Sequence, residues 1–515
     1  MPRSGTFRTG QTRPNLCCWV ACFTLLCLGG CYPVNPALSR FDPQAGYRYE
    51  SLTATDAPSD SDNTFVALSL SGGGTRAAAF AYGVLEELHA TPIGGGRTLL
   101  DEIDVISSVS GGSFAAAYYG LFGPKAFFTE FPDAVLYRSI ERDLLLRVLA
   151  PWNWPRLLSP FFGRGDLADE YYDNHIFQRR TFTDLLRKRP FIILNATDIS
   201  RGAQFSFTQE HFDRICSDLG PLTISRGVVA SSAFPIGFTP ITLKNYGKEI
   251  CGYEAPPWVG DAARDLDVNP QLYDLAKTWR SYESNEHRPY VHLSDGGLAD
   301  NIGLRAIETG ISSSGSLGLY EKVNFREVER VVFIIVDAKP ESEPSADRSA
   351  RAPGIVTVLN AAATTPLENY SSDTVERIRL WFDEWDRAAQ DFDVRRDGCD
   401  KLAAEICHSS ANGSACQTAH GSLCYQLLRA SDMFRPPHPK LYLIHVRFEA
   451  IPDERAKEEL KGIGTRLQLP RREVDDLIFW ARRLLRESGP YGDLVAGLRR
   501  ASQHRGAGER APSRP

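Results

Sequence analysis

No apolar run in this 515-residue chain approaches the roughly 20 residues that a helix needs to cross a bilayer. An excess of basic charge is also missing. The 58 Lys and Arg set against 64 Asp and Glu leave a formal charge of −6, which argues against a nucleic acid as partner. Nucleotide-loop chemistry is absent, because no Gly-Lys-Ser/Thr follows Gly72-Gly73-Gly74. Asp265-Leu266-Asp267-Val268-Asn269 hints at a calcium loop but has neither the central glycine nor the closing glutamate. Cys399, Cys407, Cys416 and Cys424 stand near His408 and His420 but lack the close pairs that zinc favours. No internal repeat is visible. The sequence therefore calls for no metal and no cofactor.

What is present are three glycine-rich turns, each closing an apolar run that reads as a buried strand. Phe65 to Leu70 leads into Ser71-Gly72-Gly73-Gly74-Thr75-Arg76, and Thr75 to Leu88 then carries small and apolar residues at helical spacing. A strand, a glycine turn and a helix start present free backbone N–H groups to an anion. Ile103 to Val109 leads into Ser110-Gly111-Gly112 and a helix from Ser113, so Ser110 sits on a sharp strand-to-helix turn. The usual elbow is Gly-x-Ser-x-Gly; here Ser108 replaces the first glycine. Tyr290 to Ser294 leads into Asp295-Gly296-Gly297, a carboxylate at a strand end. His292 lies three residues before Asp295, so in a strand the two point to opposite faces, and His292 reads as a core or supporting histidine.

A serine hydroxyl needs a base to take its proton, and burial can keep a carboxylate basic enough for that task. The three turns together thus supply a nucleophile, a base and an oxyanion loop.

In these residues the chain resembles the patatin-like phospholipase family. Ser-Gly-Gly-Gly-x-Arg-Ala is especially similar to the cytosolic phospholipase A branch. The resemblance covers residues 64–340 and also takes in Asn195-Ala196-Thr197-Asp198 and Ala230-Ser231-Ser232-Ala233-Phe234-Pro235. It implies an α/β, three-layer α/β/α fold with a mostly parallel central sheet. It implies a Ser–Asp dyad of Ser110 and Asp295, with oxyanion donors on Gly72, Gly73 and Gly74. Arg76 matches the family arginine that holds a lipid phosphate or steadies transition-state charge. The expected activity is cleavage of acyl esters in phospholipids or lysophospholipids through an acyl-enzyme. A catalytically inactive, membrane-anchored lipoprotein that binds lipid or a protein partner is the alternative.

Arg3, Arg8 and Arg13, the apolar run Cys17 to Leu28 and Gly29-Gly30-Cys31 form a secretory signal pattern. Leu28-Gly29-Gly30-Cys31 resembles the bacterial lipobox, which implies lipidation of Cys31 and a place on a membrane of the cell envelope, facing the periplasm or the cell surface. Six cysteines lie downstream, an even number that in an exported chain suggests disulfides; Cys216 and Cys251 are expected to pair. The organisation expected is a signal peptide over 1–30, a tether over 31–63, a catalytic core over 64–340 and a C-terminal extension over 341–500. That extension carries a Cys-bearing insertion at 396–425, and a disordered tail follows at 501–515. An amphipathic helix is expected over 470–487. Leu144 to Phe162, rich in Trp, Phe and Leu, reads either as an interfacial lid or as buried helix packing.

Overall fold

The apolar runs fold as buried strands in the computed structural model, which describes residues 34–49, 63–235, 237–264, 266–267, 270–312, 328–340, 355–407 and 439–508. Strands β1 (Thr64–Leu70), β4 (Val105–Val109) and β5 (Phe191–Asp198) are buried at every position. Strands β2 (Pro92–Gly94) and β3 (Arg97–Thr98) form a separate hairpin. The main sheet adds β6 (Ala203–Ser206), β7 (Ile241–Lys244), β8 (Tyr290–Asp295), β9 (Arg330–Asp337) and β10 (Lys440–Arg447). Its order is β10-β9-β1-β4-β5-β8-β7, with β6 also on β5.

From β10 to β5 every pairing is parallel. A strand buried at all positions needs cover on both faces, which crossover helices provide. The pairings β5–β6, β5–β8 and β7–β8 are antiparallel. Strand β8 thereby returns toward the ends of β4 and β5, with Asp295 opposite Ala196 and Val109 opposite Asn195. That reversal brings the third turn to the second.

Helix α1 (Gly74–His89) follows β1, and α2 (Gly111–Phe131) follows β4, with a break at Gly123. Further helices are α3 (Ile140–Leu149), α4 (Arg164–His175), α5 (Ile224–Ser232), α6 (Ile355–Cys407), α7 (Arg471–Glu487) and α8 (Gly489–Gly508). Helix α7 is the expected amphipathic one: Val474, Leu477, Ala481, Leu484 and Leu485 are buried on one side. It lies close on α1 because Gly83 has no side chain; a Cβ there would stand 2.6 Å from the Ile478 carbonyl oxygen. Arg482 and Arg486 clasp Glu87 across the same contact.

Several expectations about organisation change. Residues 34–49, expected to be tether, are packed on the body. Tyr47 is buried, stacks on Phe191 at 4.4 Å and exchanges hydrogen bonds with the Ile192 backbone. Asn35 binds Ser217 and Lys244. The Pro/Ser/Asp composition of this stretch hides the few side chains that dock it. Cys216 and Cys251 are disulfide-bonded, and the Leu38 and Phe41 N–H groups donate to their carbonyls. Helix α6 runs into the expected 396–425 insertion, and Cys399 is also disulfide-bonded. Helix α8 continues to Gly508, into the stretch expected to be tail. Cys31 and the signal segment lie outside the described residues. Among the described residues, no helix is long and apolar enough to cross a membrane.

Candidate active site

Ser110 sits between β4 and α2 with φ 49° and ψ −116°. A positive φ in a residue with a Cβ costs of order 1–3 kcal/mol and persists only where the surroundings enforce it. Two glycines make the turn possible. A Cβ on Gly111 would lie 2.0 Å from the Gly74 carbonyl oxygen, and one on Gly112 would lie 2.8 Å from those of Leu70 and Ser71. The serine turn and the first glycine turn therefore touch backbone to backbone.

A chain of hydroxyls holds the turn from behind. The Ser110 N–H donates to Ser231 Oγ at 2.9 Å. Ser231 Oγ meets Ser113 Oγ at 2.9 Å, Ser113 Oγ meets Ser108 Oγ at 3.1 Å, and Ser108 Oγ donates to the Ile193 carbonyl at 3.1 Å. Ser108, which departs from the usual elbow glycine, is thus a member of this chain. The segment after Ser231 also holds the third turn: the Ala233 carbonyl accepts from the Asp295 N–H at 3.0 Å and from Ser294 Oγ at 2.6 Å.

Asp295 is buried, its carboxylate accepts from the Gly297 N–H at 2.8 Å, and the Ser110 side chain is near enough to act on its ionisation. Burial pushes its pKa up to about 6, against the smaller lowering influence of the Gly297 N–H and the Ser110 side chain. A carboxylate at that value is a far better proton acceptor than a solvated one.

The first glycine turn does not offer all three expected N–H groups. That of Gly72 is taken by the Asn301 carbonyl oxygen at 2.9 Å. The N–H groups of Gly73 and Gly74 meet no protein acceptor among the described residues, and neither does that of Gly111 beside Ser110. Gly73 at φ 139° and Gly74 at φ 60° adopt backbone that other residues rarely accept.

Arg76 is a second correction. It does not reach the mouth of a site but lies in the interior, 1 % exposed. Its Nε donates to the Ala338 carbonyl at 2.8 Å, and its other nitrogens bind the Ile463 carbonyl and Thr465. Burial lowers its pKa to about 10, against the raising influence of Asp337. A Cβ on Gly73 would lie 2.7 Å from Arg76 Nη2, so the guanidinium backs the glycine turn while fixing the loop around Ile463. The first helical turn gives the direction of such a side chain, but its partners come from far along the chain.

His292 is a third correction. It is neither in the core nor behind the site but exposed on β8, with Nδ1 3.0 Å from Thr242 Oγ1 on β7. Asn195 and Asp198 are framework. Asn195 bridges Ser107 Oγ and the Ser108 carbonyl to Gln204 and Ser206; Asp198 accepts from Tyr282 and Arg288.

One residue at this site carries no signal of its own in the sequence. A Cβ on Gly72 would lie 2.6 Å from Asn301 Oδ1 and 3.3 Å from Ser110 Cβ. A Cβ on Gly297 would lie 3.0 Å from both Asn301 Oδ1 and Asp295 Oδ1. The Asn301 carboxamide therefore stands within a side chain's reach of both Ser110 and Asp295, and no protein group among the described residues takes it up. Its place six residues past Asp295 is the one cue the sequence offers.

Residues 68–307 match the family model described as patatin-like phospholipase. Comparison with curated proteins returns no match. Among solved structures, human GIVD cytosolic phospholipase A2 aligns at 12 % identity with a TM-score of 0.29, over 59 % of this chain and 50 % of that one. The chain thus spans half the length of that protein.

Proposed function

Residues 68–307 of this chain are a patatin-like phospholipase domain, and from that premise we propose that the protein is a lipid acyl hydrolase. Ser110 attacks the ester carbonyl while Asp295 takes its proton. The new oxyanion is met by the N–H groups of Gly73 and Gly74, with Gly72 serving to position the turn. Collapse expels the alcohol, which takes the proton back from Asp295, and leaves an acyl-Ser110 ester. Water, deprotonated by Asp295, then attacks the acyl ester; the bond to Ser110 Oγ breaks, the fatty acid leaves and Ser110 Oγ takes the proton back from Asp295. Phospholipids or lysophospholipids are the substrate class.

The observation that carries this reading is the buried Asp295 carboxylate, its pKa raised to about 6, beside a serine on a strained turn. A fluorophosphonate probe should label the protein, and Ser110→Ala should abolish labelling. Labelling that persists in Ser110→Ala refutes the assignment.

We also propose that Cys31 carries the lipid that anchors the enzyme to an envelope membrane. The support is the lipobox-like Leu28-Gly29-Gly30-Cys31 after a short apolar run. Mass spectrometry of the processed N-terminus should show a diacylglyceryl group on Cys31. An unmodified Cys31 ends this proposal and leaves the hydrolase reading intact.

A further inference from the structure

Helix α3 and the segment that joins it to α4 turn apolar side chains outward. Leu145, Leu149, Trp152, Trp154, Leu158 and Phe161 are all exposed, Trp152 by 77 % and Leu158 by 81 %. Isolated exposed apolar residues need no explanation, but a run of this density within 17 residues does.

The patch is built rather than frayed. Asn153 Nδ2 donates to the Arg147 carbonyl at 2.8 Å, and Trp154 Nε1 donates to that of Val148 at 3.2 Å. Arg156 pairs with Glu170 through both nitrogens and lies 4.0 Å from the Phe162 ring centroid. The Gly165 N–H donates to Thr239 Oγ1 at 2.9 Å. The polar groups thus face the body and the rings face out.

We propose that this surface seats the protein on an anionic lipid bilayer. Charge supports that occupant: from Leu144 to Gly165 the sequence has Arg147, Arg156 and Arg164 and no acidic residue, within a chain of net charge −6. Glu170 answers Arg156 and Arg147 lies over the Tyr171 ring, which leaves the exposed Arg164 to face lipid headgroups. Trp and Phe beside Leu, rimmed by arginine, suit the boundary between acyl chains and headgroups. The cavity of about 400 Å³ beneath Phe161 and Phe162 is not lined by Ser110 or Asp295, so patch and dyad are separate features. They are nonetheless linked. Thr239, which holds Gly165, leads into β7, and Ile241 on β7 pairs with Leu293, two residues before Asp295. The benefit of such seating rests on the hydrolase reading, because it would bring bilayer lipid to that edge of the sheet.

The test uses the full chain with Cys31→Ser, to remove the proposed anchor, and vesicles of phosphatidylglycerol or phosphatidylcholine. Three outcomes support the proposal. Vesicles with brominated acyl chains quench tryptophan emission, and Trp152→Phe combined with Trp154→Phe removes that quenching. Trp152→Glu with Leu158→Glu weakens cosedimentation at least about tenfold, while turnover of a soluble short-chain ester and the melting temperature stay unchanged. Arg164→Glu weakens binding to phosphatidylglycerol and not to phosphatidylcholine. Vesicle binding and quenching that survive the double glutamate variant overturn the proposal. So does a dimer in solution that this variant converts to monomer, because a second copy would then cover the face. The parent's esterase assay separates the two readings: vesicle binding with no esterase activity refutes the hydrolase and leaves the lipid seat standing.

Discussion

Ser231 Oγ accepts the backbone N–H of Ser110 at 2.9 Å, and through Ser113 and Ser108 the contact runs on to the Ile193 carbonyl on β5. The hydroxyls can all donate in one direction, each relieving the next, and the last partner is the buried N–H of the strained serine. Ser231→Ala leaves that N–H without an acceptor, a loss of about 1–3 kcal/mol. Urea melts should show this loss. Turnover of a soluble ester should fall in kcat with little change in KM, because the nucleophile is displaced while the substrate surface is untouched. Ser231→Thr, which keeps the hydroxyl, should restore most of both. A fall confined to KM would contradict this role.

The raised pKa of Asp295 has two consequences of opposite sign. As a base it must be ionised, so kcat/KM for a soluble ester should decline as pH drops below about 6. For stability the ionised carboxylate is a burden. The folded state holds the proton more tightly than the unfolded chain, whose carboxyl titrates near 3.8. The penalty is absent below that value, grows as pH rises toward 6 and is complete above it. Asp295→Asn should therefore be inactive yet more stable at pH 7, by up to about 3 kcal/mol, with the advantage shrinking as pH falls toward 4. Paired thermal melts at pH 7 and pH 4.5 test this. Because the two residues act as a unit, adding Ser110→Ala should cost little further activity.

The central sheet was legible because strands β1, β4, β5 and β9, buried on both faces, read as continuous apolar runs ended by glycine or polar turns. Strands β6 and β7 were not. Each has four residues, and β7 alternates buried with more open positions, a pattern too short to stand out. Ser110 and Asp295 announced themselves through the turns around them. The roles of Ser231, Asn301 and Arg76 depend on contacts that local pattern cannot encode. Arg76 meets partners 262 and 387 residues away, and a charged residue in the first helical turn after a glycine loop reads as pointing outward until those partners are known.

Arg76→Lys keeps a charge but cannot reach three separate acceptors from one planar fork. The Ala338 and Ile463 carbonyls would lose donors in the interior, at about 1–3 kcal/mol each. The loop around Thr465, whose neighbour Arg466 accepts the Thr75 N–H at 2.8 Å, would loosen against the glycine turn. The expected result is a lower melting temperature, with activity falling equally on a phospholipid and on a neutral ester. A loss selective for the phospholipid would show that Arg76 binds substrate phosphate after all.

Asn301 joins two functions that its substitutions can separate. Its backbone carbonyl holds Gly72 and survives any side-chain change, whereas its carboxamide stands within a side chain's reach of Ser110 and Asp295. Asn301→Ala should keep the turn and the fold but remove an uncommitted carboxamide near the dyad, reducing kcat roughly ten- to a hundredfold. Asn301→Asp tests the geometry more sharply. A second carboxylate that close to Asp295 disfavours its ionised form and raises its pKa. The acid limb of kcat/KM should then move to higher pH than in the parent, where it lies near 6. The pH profile of a soluble ester, measured for parent and Asn301→Asp, gives that shift directly. An unmoved limb in a folded Asn301→Asp protein would place the side chain away from Asp295.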